Sequence, residues 1–530
     1  MRKLPSPVAL LALAPLVLLG AINDTVRLDS GPVSGAAGKD PAVSVFKGIP
    51  FAAPPVGNLR WSPPQPVAHW DSVRPSTEFG NMCMQAAAGG GRGNGKGKAE
   101  NAGPRIGPRI SEDCLYLNVW TAAASPSEHR PVMVWIHPGG YTSGSGSGPG
   151  YDGEALAKKG VVLVTINYRL GIFGFFSHPD LTQESDRRGA GNFAFMDQKA
   201  ALEWVQRNIA QFGGDPKRVT VFGNSAGASS ISNLVASPQT KGLFQRAAAQ
   251  SGAWLGLSVN PMRTLAQAEE TGVKTAESIL GKGGAHSIAE LRAKPADEVL
   301  RAGRGGGPVI DGWFLPQDPA AIFAQGKQND VPMLLGSNKD EGTFFLQTTT
   351  AQAFTERERK RFGDAANAFL KVYPAGTDEE ADASQFAAFR DELAWVMRNW
   401  ANAQTKTGKS KVYLYYFTHE PPSAGPASGQ NSRGSGATHG SEAQYVFQNL
   451  LGSRQWTVTD RDVSLTMSSY WVNFALTGDP NGKGLPKWPA YDAKKSNRPM
   501  VLGDKAEVGP EPNAAQIAFF QSWYDKLHGL

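Results

Sequence analysis

The chain has 530 residues, 41% of them hydrophobic and 19% charged, with 61 Gly and 37 Pro. That is a soluble, loop-rich globular composition, long enough for two or three average domains or for one elaborated α/β core. A net charge of +6 spread over so large a surface, with no basic helix carrying interleaved aromatics, gives no reason to expect nucleic acid as a partner.

At the N-terminus, Arg2 and Lys3 precede an apolar run from Val8 to Leu19, interrupted by Pro15 and followed by Gly20-Ala21. This secretory-signal pattern is too short for an ordinary membrane span. It predicts a signal peptide over residues 1–21 cleaved near Ala21, a secreted or periplasmic protein and no stable membrane insertion; an uncleaved anchor is the alternative. The only two cysteines, Cys83 and Cys114, then meet oxidising conditions and are expected to form one disulfide. A pair alone does not make a structural zinc site, and no metal is expected.

Val43 to Trp61 starts as a short strand and continues along a proline-punctuated path, which predicts an edge strand or a loop. Between the cysteines, Ala86 to Ile110 is rich in glycine and carries Arg92, Lys96, Lys98, Arg105 and Arg109, so it reads as a surface loop. Val132–Ile136 and Val161–Tyr168 are continuous apolar runs, as in strands buried on both faces of a parallel sheet. Asp197 to Ala210 has helical apolar spacing, and a strand from Val219 follows it. More strands are predicted at Arg246–Gln250, Pro332–Gly336 and Val412–Phe417, helical insertions over 255–330 and 345–405, and a closing helix over Gln516–Leu527. The alternation predicts an α/β class with a large, mostly parallel central sheet and helices on both faces. No internal repeat or linker separates a second domain.

The strand from Val219 stops at Gly223-Asn-Ser-Ala-Gly227 and becomes small and helical. Such a strand–turn–helix step is a nucleophile elbow, with glycines permitting the tight turn and Ser225 exposed at its tip. A glycine-rich turn that happens to contain serine is the plain alternative. Trp135-Ile-His-Pro-Gly-Gly-Tyr141 leaves a buried strand for consecutive glycines. Pro138 has no N–H, so the oxyanion donors are expected from Gly139 and Gly140 together with Ala226. His137 is expected to pack beneath that loop.

A serine nucleophile needs an imidazole and a carboxylate, in the chain order Ser, acid, His in this class of sheet. Of the histidines after Ser225, His286 and His528 are poorly placed, His439 lies on a turn before a helix, and His419 is held in reserve. The acid is Asp340 or Glu341, which spacing does not separate; either could instead cap a helix.

Together these motifs resemble the type-B carboxylesterase family, the α/β-hydrolases that include bacterial carboxylesterases, fungal lipases and cholinesterases. The resemblance rests on Phe46-Lys-Gly-Ile-Pro-Phe-Ala-Ala-Pro-Pro, Ser111-Glu-Asp-Cys-Leu-Tyr-Leu-Asn-Val119, His137-Pro-Gly-Gly, Asn167-Tyr-Arg-Leu-Gly171, Phe212-Gly-Gly-Asp-Pro216, the elbow, Asp340-Glu-Gly342 and His439-Gly. It implies an α/β-hydrolase fold with helical insertions over the active site and a single catalytic domain over 22–530. It further implies Ser225, Glu341 and His439 as a triad, Gly139, Gly140 and Ala226 as the oxyanion hole, Cys83 paired with Cys114, and ion pairs Arg60 with Glu112 and Arg169 with Asp197. Two positions depart from the common pattern. Pro138 stands where members commonly carry Gly, and Asn224 where many carry Glu, which disfavours cationic substrates.

The implied activity is cofactor-free hydrolysis of small-molecule carboxylic esters through an acyl-enzyme. Asn224 and the basic residues Arg92, Lys96, Arg105 and Arg109 are candidate substrate contacts favouring neutral or anionic esters, and the family includes bacterial members acting on polyanionic esters of the fumonisin type. A solvated loop with no substrate role is the alternative for the basic residues. For the whole chain, the alternatives are a non-catalytic binding homologue and a lipase-like member acting on long-chain esters.

Overall fold

The computed structural model describes residues 22, 25–86, 108–185, 190–253, 255–281, 287–303, 305–343, 346–423, 436–452, 454–493, 498–510 and 512–528. The expected signal segment lies outside the described residues, as do Arg92, Lys96, Lys98 and Arg105.

Among the described residues, eleven strands from Ala36 to Val508 join one sheet. In chain order they are β1 (Ala36–Ala37), β2 (Ser44–Pro50), β3 (Tyr116–Thr121), β4 (Arg130–Ile136), β5 (Val162–Ile166), β6 (Gly214–Asn224), β7 (Arg246–Gln250), β8 (Met333–Asn338), β9 (Val412–Phe417), β10 (Met500–Leu502) and β11 (Ala506–Val508). Their spatial order is β11-β10-β9-β8-β7-β6-β4-β5-β3-β2-β1. The block from β5 to β10 is parallel, and β1, β2, β3 and β11 pair antiparallel. Val134 of β4 is in register with Val164 of β5 on one side and Val221 of β6 on the other.

Side chains alternate across a strand, so a strand apolar at every position feeds two cores. In β4, Val132, Val134 and Ile136 face one core, shared with Leu202 and Val205 of α1 (Phe193–Asn208) and Ile231 and Leu234 of α2 (Ala226–Ala236). Met133 and Trp135 face the other, packed with Met467, Trp471 and Phe474 of a later helix, Val458–Thr477. All of these residues are at most 1% exposed, and each such side chain contributes about 1.5–3 kcal/mol of transfer free energy. This is the α/β-hydrolase architecture, a large mixed sheet covered on both faces.

One strand expectation needs correcting. The segment after Val43 forms β2, which is not at the edge: it pairs with β3 along its length and with β1 at Ala36–Ala37. Its proline is tolerated because Pro50 is the last residue of the strand and the next backbone bond across is made by its neighbour, Phe51 N donating to Leu115 O at 3.1 Å, and a register shift between Phe46 and Ile49 bends the strand. Cys83 and Cys114 form a buried disulfide across 31 residues. Both expected ion pairs are present, Arg60 to Glu112 at 2.6 Å and Arg169 to Asp197 at 2.7 Å, each with a second guanidinium bond.

Candidate active site

β6 passes between β4 and β7 and ends at Asn224, and α2 begins at Ala226. The single residue between them, Ser225, takes φ 57° and ψ −119°, a conformation costly for a side-chain-bearing residue. Two hydrogen bonds hold it: Ser225 N donates to Gln250 O at 2.9 Å, and Ser229 N donates to Ser225 O at 2.8 Å. Gly227 makes the geometry possible, since a Cβ there would stand 2.0 Å from the Ile136 carbonyl oxygen.

Ser225 and His439 line one cavity of about 740 Å³, with Gly139, Gly140, Pro149, Tyr151 and Phe389 among its walls. Gly139 and Gly140 have φ of 122° and 59°, and Gly139 O accepts from Thr142 N and Ser143 N, fixing the turn. Among the described residues, no protein acceptor takes the N–H groups of Gly139, Gly140 or Ala226. Ala226 opens α2, where the first amides of a helix have no intrahelical partner. Beneath the turn, His137 stacks on Tyr168 at 4.3 Å and its Nδ1 donates to Pro138 O. Burial pushes this imidazole down to about 4, so it is neutral, and it packs under the loop.

The loop after β8 separates the two carboxylates that spacing left equivalent. Glu341 is 1% exposed, and its Oε2 accepts from His439 Nδ1 at 2.5 Å. Its Oε1 accepts from Ser251 Oγ at 2.6 Å and Asn338 N at 2.9 Å. Asp340 turns the other way: its Oδ2 accepts from Ala437 N at 2.8 Å and its own N donates to Ala437 O at 3.0 Å. Asp340 thus ties down the segment that carries His439. Burial acts to lower the His439 pKa, but the Glu341 charge and hydrogen bond outweigh it, and the net shift is upward. With Nδ1 bound to Glu341, Nε2 is the nitrogen on the opposite side of the ring.

The short helix α3 (Glu442–Val446) follows His439 and opens on a fully buried carboxylate. Glu442 Oε1 accepts from Asn224 Nδ2 at 2.9 Å and Gln250 Nε2 at 3.0 Å, and Oε2 accepts from Asn338 Nδ2. Burial pushes its pKa up, the Asn338 bond opposes that, and the neighbouring Glu341 charge adds to it. One carboxylate therefore gathers the residue before Ser225, the end of β7 and the end of β8. Asn224 lines the cavity, but its amide is committed to Glu442 and Gln250 O.

The model of the carboxylesterase family matches residues 23–520. The chain belongs to this family. Among curated relatives it is 37% identical to fumonisin B1 esterase of Sphingopyxis macrogoltabida, over 91% of this chain and 86% of that protein. It is 36% identical to carboxylesterase 1D of Rattus norvegicus, over 90% and 88%. A solved PNB esterase is 32% identical, covers 94% of this chain and 100% of its own, and superposes with a TM-score of 0.78. This carboxylesterase-family member is a carboxylic-ester hydrolase.

Elsewhere in the esterase, the reserve histidine is engaged: His419 Nδ1 bonds Asp504 at 2.6 Å and Nε2 bonds Asp460 at 2.9 Å, and it does not line the Ser225 cavity. His528 ends the last helix and His286 lies outside the described residues. Arg109 is exposed and is not among the cavity residues; its carbonyl accepts from Met82 N beside the disulfide. Among the described residues, no cluster of three or more His, Cys, Asp or Glu is placed to hold a metal ion, and no helix is long and apolar enough to cross a membrane. Sequence reasoning missed Glu442. Its only signal is position, three residues after His439 at the start of a helix, where an acidic residue ordinarily reads as a favourable charge at a helix N-terminus.

Proposed function

We propose that the esterase works by two acyl-transfer steps on Ser225, with residues 22–530 acting as one catalytic domain. His439 Nε2 takes the Ser225 proton as Oγ attacks the ester carbonyl. The carbonyl oxygen becomes an oxyanion held by the N–H groups of Gly139, Gly140 and Ala226, each such donor being worth about 100-fold or more in rate. His439 then gives its proton to the departing alcohol. A water attacks the acyl-enzyme, with His439 again as base, and releases the acid. Glu341 keeps the proton of the neutral ring on Nδ1 and stabilises the imidazolium. No cofactor enters the scheme.

The observation that carries this reading is the 2.5 Å hydrogen bond from His439 Nδ1 to buried Glu341, on a ring that shares a cavity with Ser225. Hydrolysis of p-nitrophenyl acetate by the purified protein, and its loss in Ser225→Ala, tests the reading. Absence of turnover, with no change in Ser225→Ala, would instead identify a binding homologue.

The proposed substrates are neutral or anionic esters, including polyanionic esters of the fumonisin type. The 37% sequence identity to a protein named fumonisin B1 esterase supports this, as does Asn224, which places an amide where a carboxylate would favour cations. Export through the N-terminal 21 residues is part of the same proposal, supported by the signal-like sequence and the Cys83–Cys114 disulfide.

A further inference from the structure

A second cavity, of about 510 Å³, adjoins the first, and Gly148, Pro149 and Tyr151 line both. The two differ in chemistry. Apart from Asn224, Ser225, His439 and Gln444, the first is walled by glycine, proline, alanine and aromatic residues. The second carries Lys39, Lys47, Asp152 and Glu154 over a floor containing Phe79 and Trp120.

Three of those four charges are already answered. Asp152 Oδ2 accepts from Lys39 Nζ at 2.9 Å and Oδ1 from Glu154 N at 3.1 Å. Glu154 accepts from the backbone amides of Lys39 and Asp40. Lys47 is different. Half-buried on β2, it has no carboxylate within ion-pair distance among the described residues, and its ammonium sits 4.7 Å from the centroid of the Phe79 ring. A cation over an aromatic face keeps part of its stabilisation while leaving its N–H donors available to an incoming anion. The Lys39 side chain is 83% exposed, so the cavity reaches the surface.

We infer that this second cavity is a subsite for a carboxylate borne on the distal part of the ester substrate, with Lys47 as the specificity-determining residue. The substrate lies over the Gly148–Tyr151 segment, its ester at Ser225 and its carboxylate on the Lys47 ammonium. The inference rests on the esterase mechanism above and names the residue behind its preference for anionic esters. Lys47 forms no part of the bond-making machinery, so its charge should act through KM and leave kcat unchanged.

The test uses p-nitrophenyl monoesters of linear dicarboxylic acids of increasing length, each compared with the methyl-ended acyl ester of the same length at low ionic strength. In the wild-type enzyme the ratio of acidic to neutral kcat/KM should peak at one chain length. Lys47→Met, which keeps the stem and removes the charge, should lower that peak about tenfold through KM, as expected for one charge-assisted contact at a half-exposed site. Lys47→Glu should lower it further, and Lys47→Arg should restore it. Unchanged kcat/KM for the neutral esters shows that each variant is folded. An acidic-to-neutral ratio equal in wild type and Lys47→Met overturns the subsite while leaving the esterase reading intact. If none of the esters is turned over, the mechanism has failed, and titration calorimetry of Ser225→Ala, with and without Lys47→Met, against the same series of dicarboxylic monoesters decides the subsite separately. Binding weakened by Lys47→Met supports it, and binding indifferent to Lys47 overturns it.

Discussion

Glu341→Gln is the substitution that most sharply tests how the base is held. Glu341 Oε2 faces His439 Nδ1, while Oε1 accepts from Ser251 Oγ and Asn338 N. The Ser251 hydroxyl can turn, but the Asn338 N–H can only donate. A glutamine therefore puts its carbonyl oxygen toward Asn338 and its NH2 toward His439, which forces Nδ1 to accept and moves the ring proton to Nε2. In that tautomer the ring cannot take the Ser225 proton. Reversing the amide loses one hydrogen bond and opposes two donors, costing about 2 kcal/mol, or roughly 30-fold in population. About 3% of molecules then hold the productive tautomer, and these lack the negative charge that stabilises the imidazolium. The expected fall in kcat is about 10³- to 10⁴-fold. The fold should be little affected, because the bonds to Ser251 and Asn338 survive. Turnover of p-nitrophenyl acetate at pH 8, alongside thermal unfolding, measures both. Retention of more than about a tenth of wild-type kcat, with an unchanged melting temperature, would refute the tautomer argument.

The proposed mechanism needs a neutral His439, and the pKa of that ring is raised, so kcat/KM should fall on the acid side with an inflection above the ordinary imidazole value of 6.5; an inflection below 6.5 would contradict it. Glu442→Gln removes one of the charges that raises His439, so the inflection should move to lower pH. The same change sets a glutamine NH2 against the Asn338 amide and should cost about 1–3 kcal/mol, read by urea unfolding. Replacing Cys83 and Cys114 together by serine should cost about 2–4 kcal/mol, visible as a lower melting temperature in non-reducing buffer only; equal melting temperatures would show that the loop closure contributes nothing.

Much of this was readable before any coordinates, for physical reasons that differ by element. β7 and β9 match their expected bounds at both ends; Val412–Phe417 is apolar and aromatic throughout and stops at polar residues, whereas Arg246–Gln250 is a short alanine run closed by a polar residue at each end. β2 was misplaced because its prolines argued for an edge; the structure accepts Pro50 at the terminus of an interior strand. The elbow was legible because Gly223, Ser225 and Gly227 have few other uses in that order. Asp340 and Glu341 were not separable, since their side chains diverge only once the turn after β8 is formed. Glu442 and Lys47 were invisible for a related reason. Each owes its significance to neighbours far away in sequence, Asn224 and Gln250 for the first, Phe79 and Tyr151 for the second.

The stitching of Asp340 to Ala437, reinforced by Asn338 Nδ2 donating to Thr438 O at 2.8 Å, gives Glu341 and His439, the proposed acid and base, a common fate. A fluctuation that frees residues 437–439 from 338–340 strips His439 of its support and its register at once, so the protein has an assembled state and a disassembled one with nothing productive between. Amide hydrogens at Asp340 and Ala437 would exchange through that one opening, and its free energy, rather than that of global unfolding, would set the conditions under which catalysis is lost.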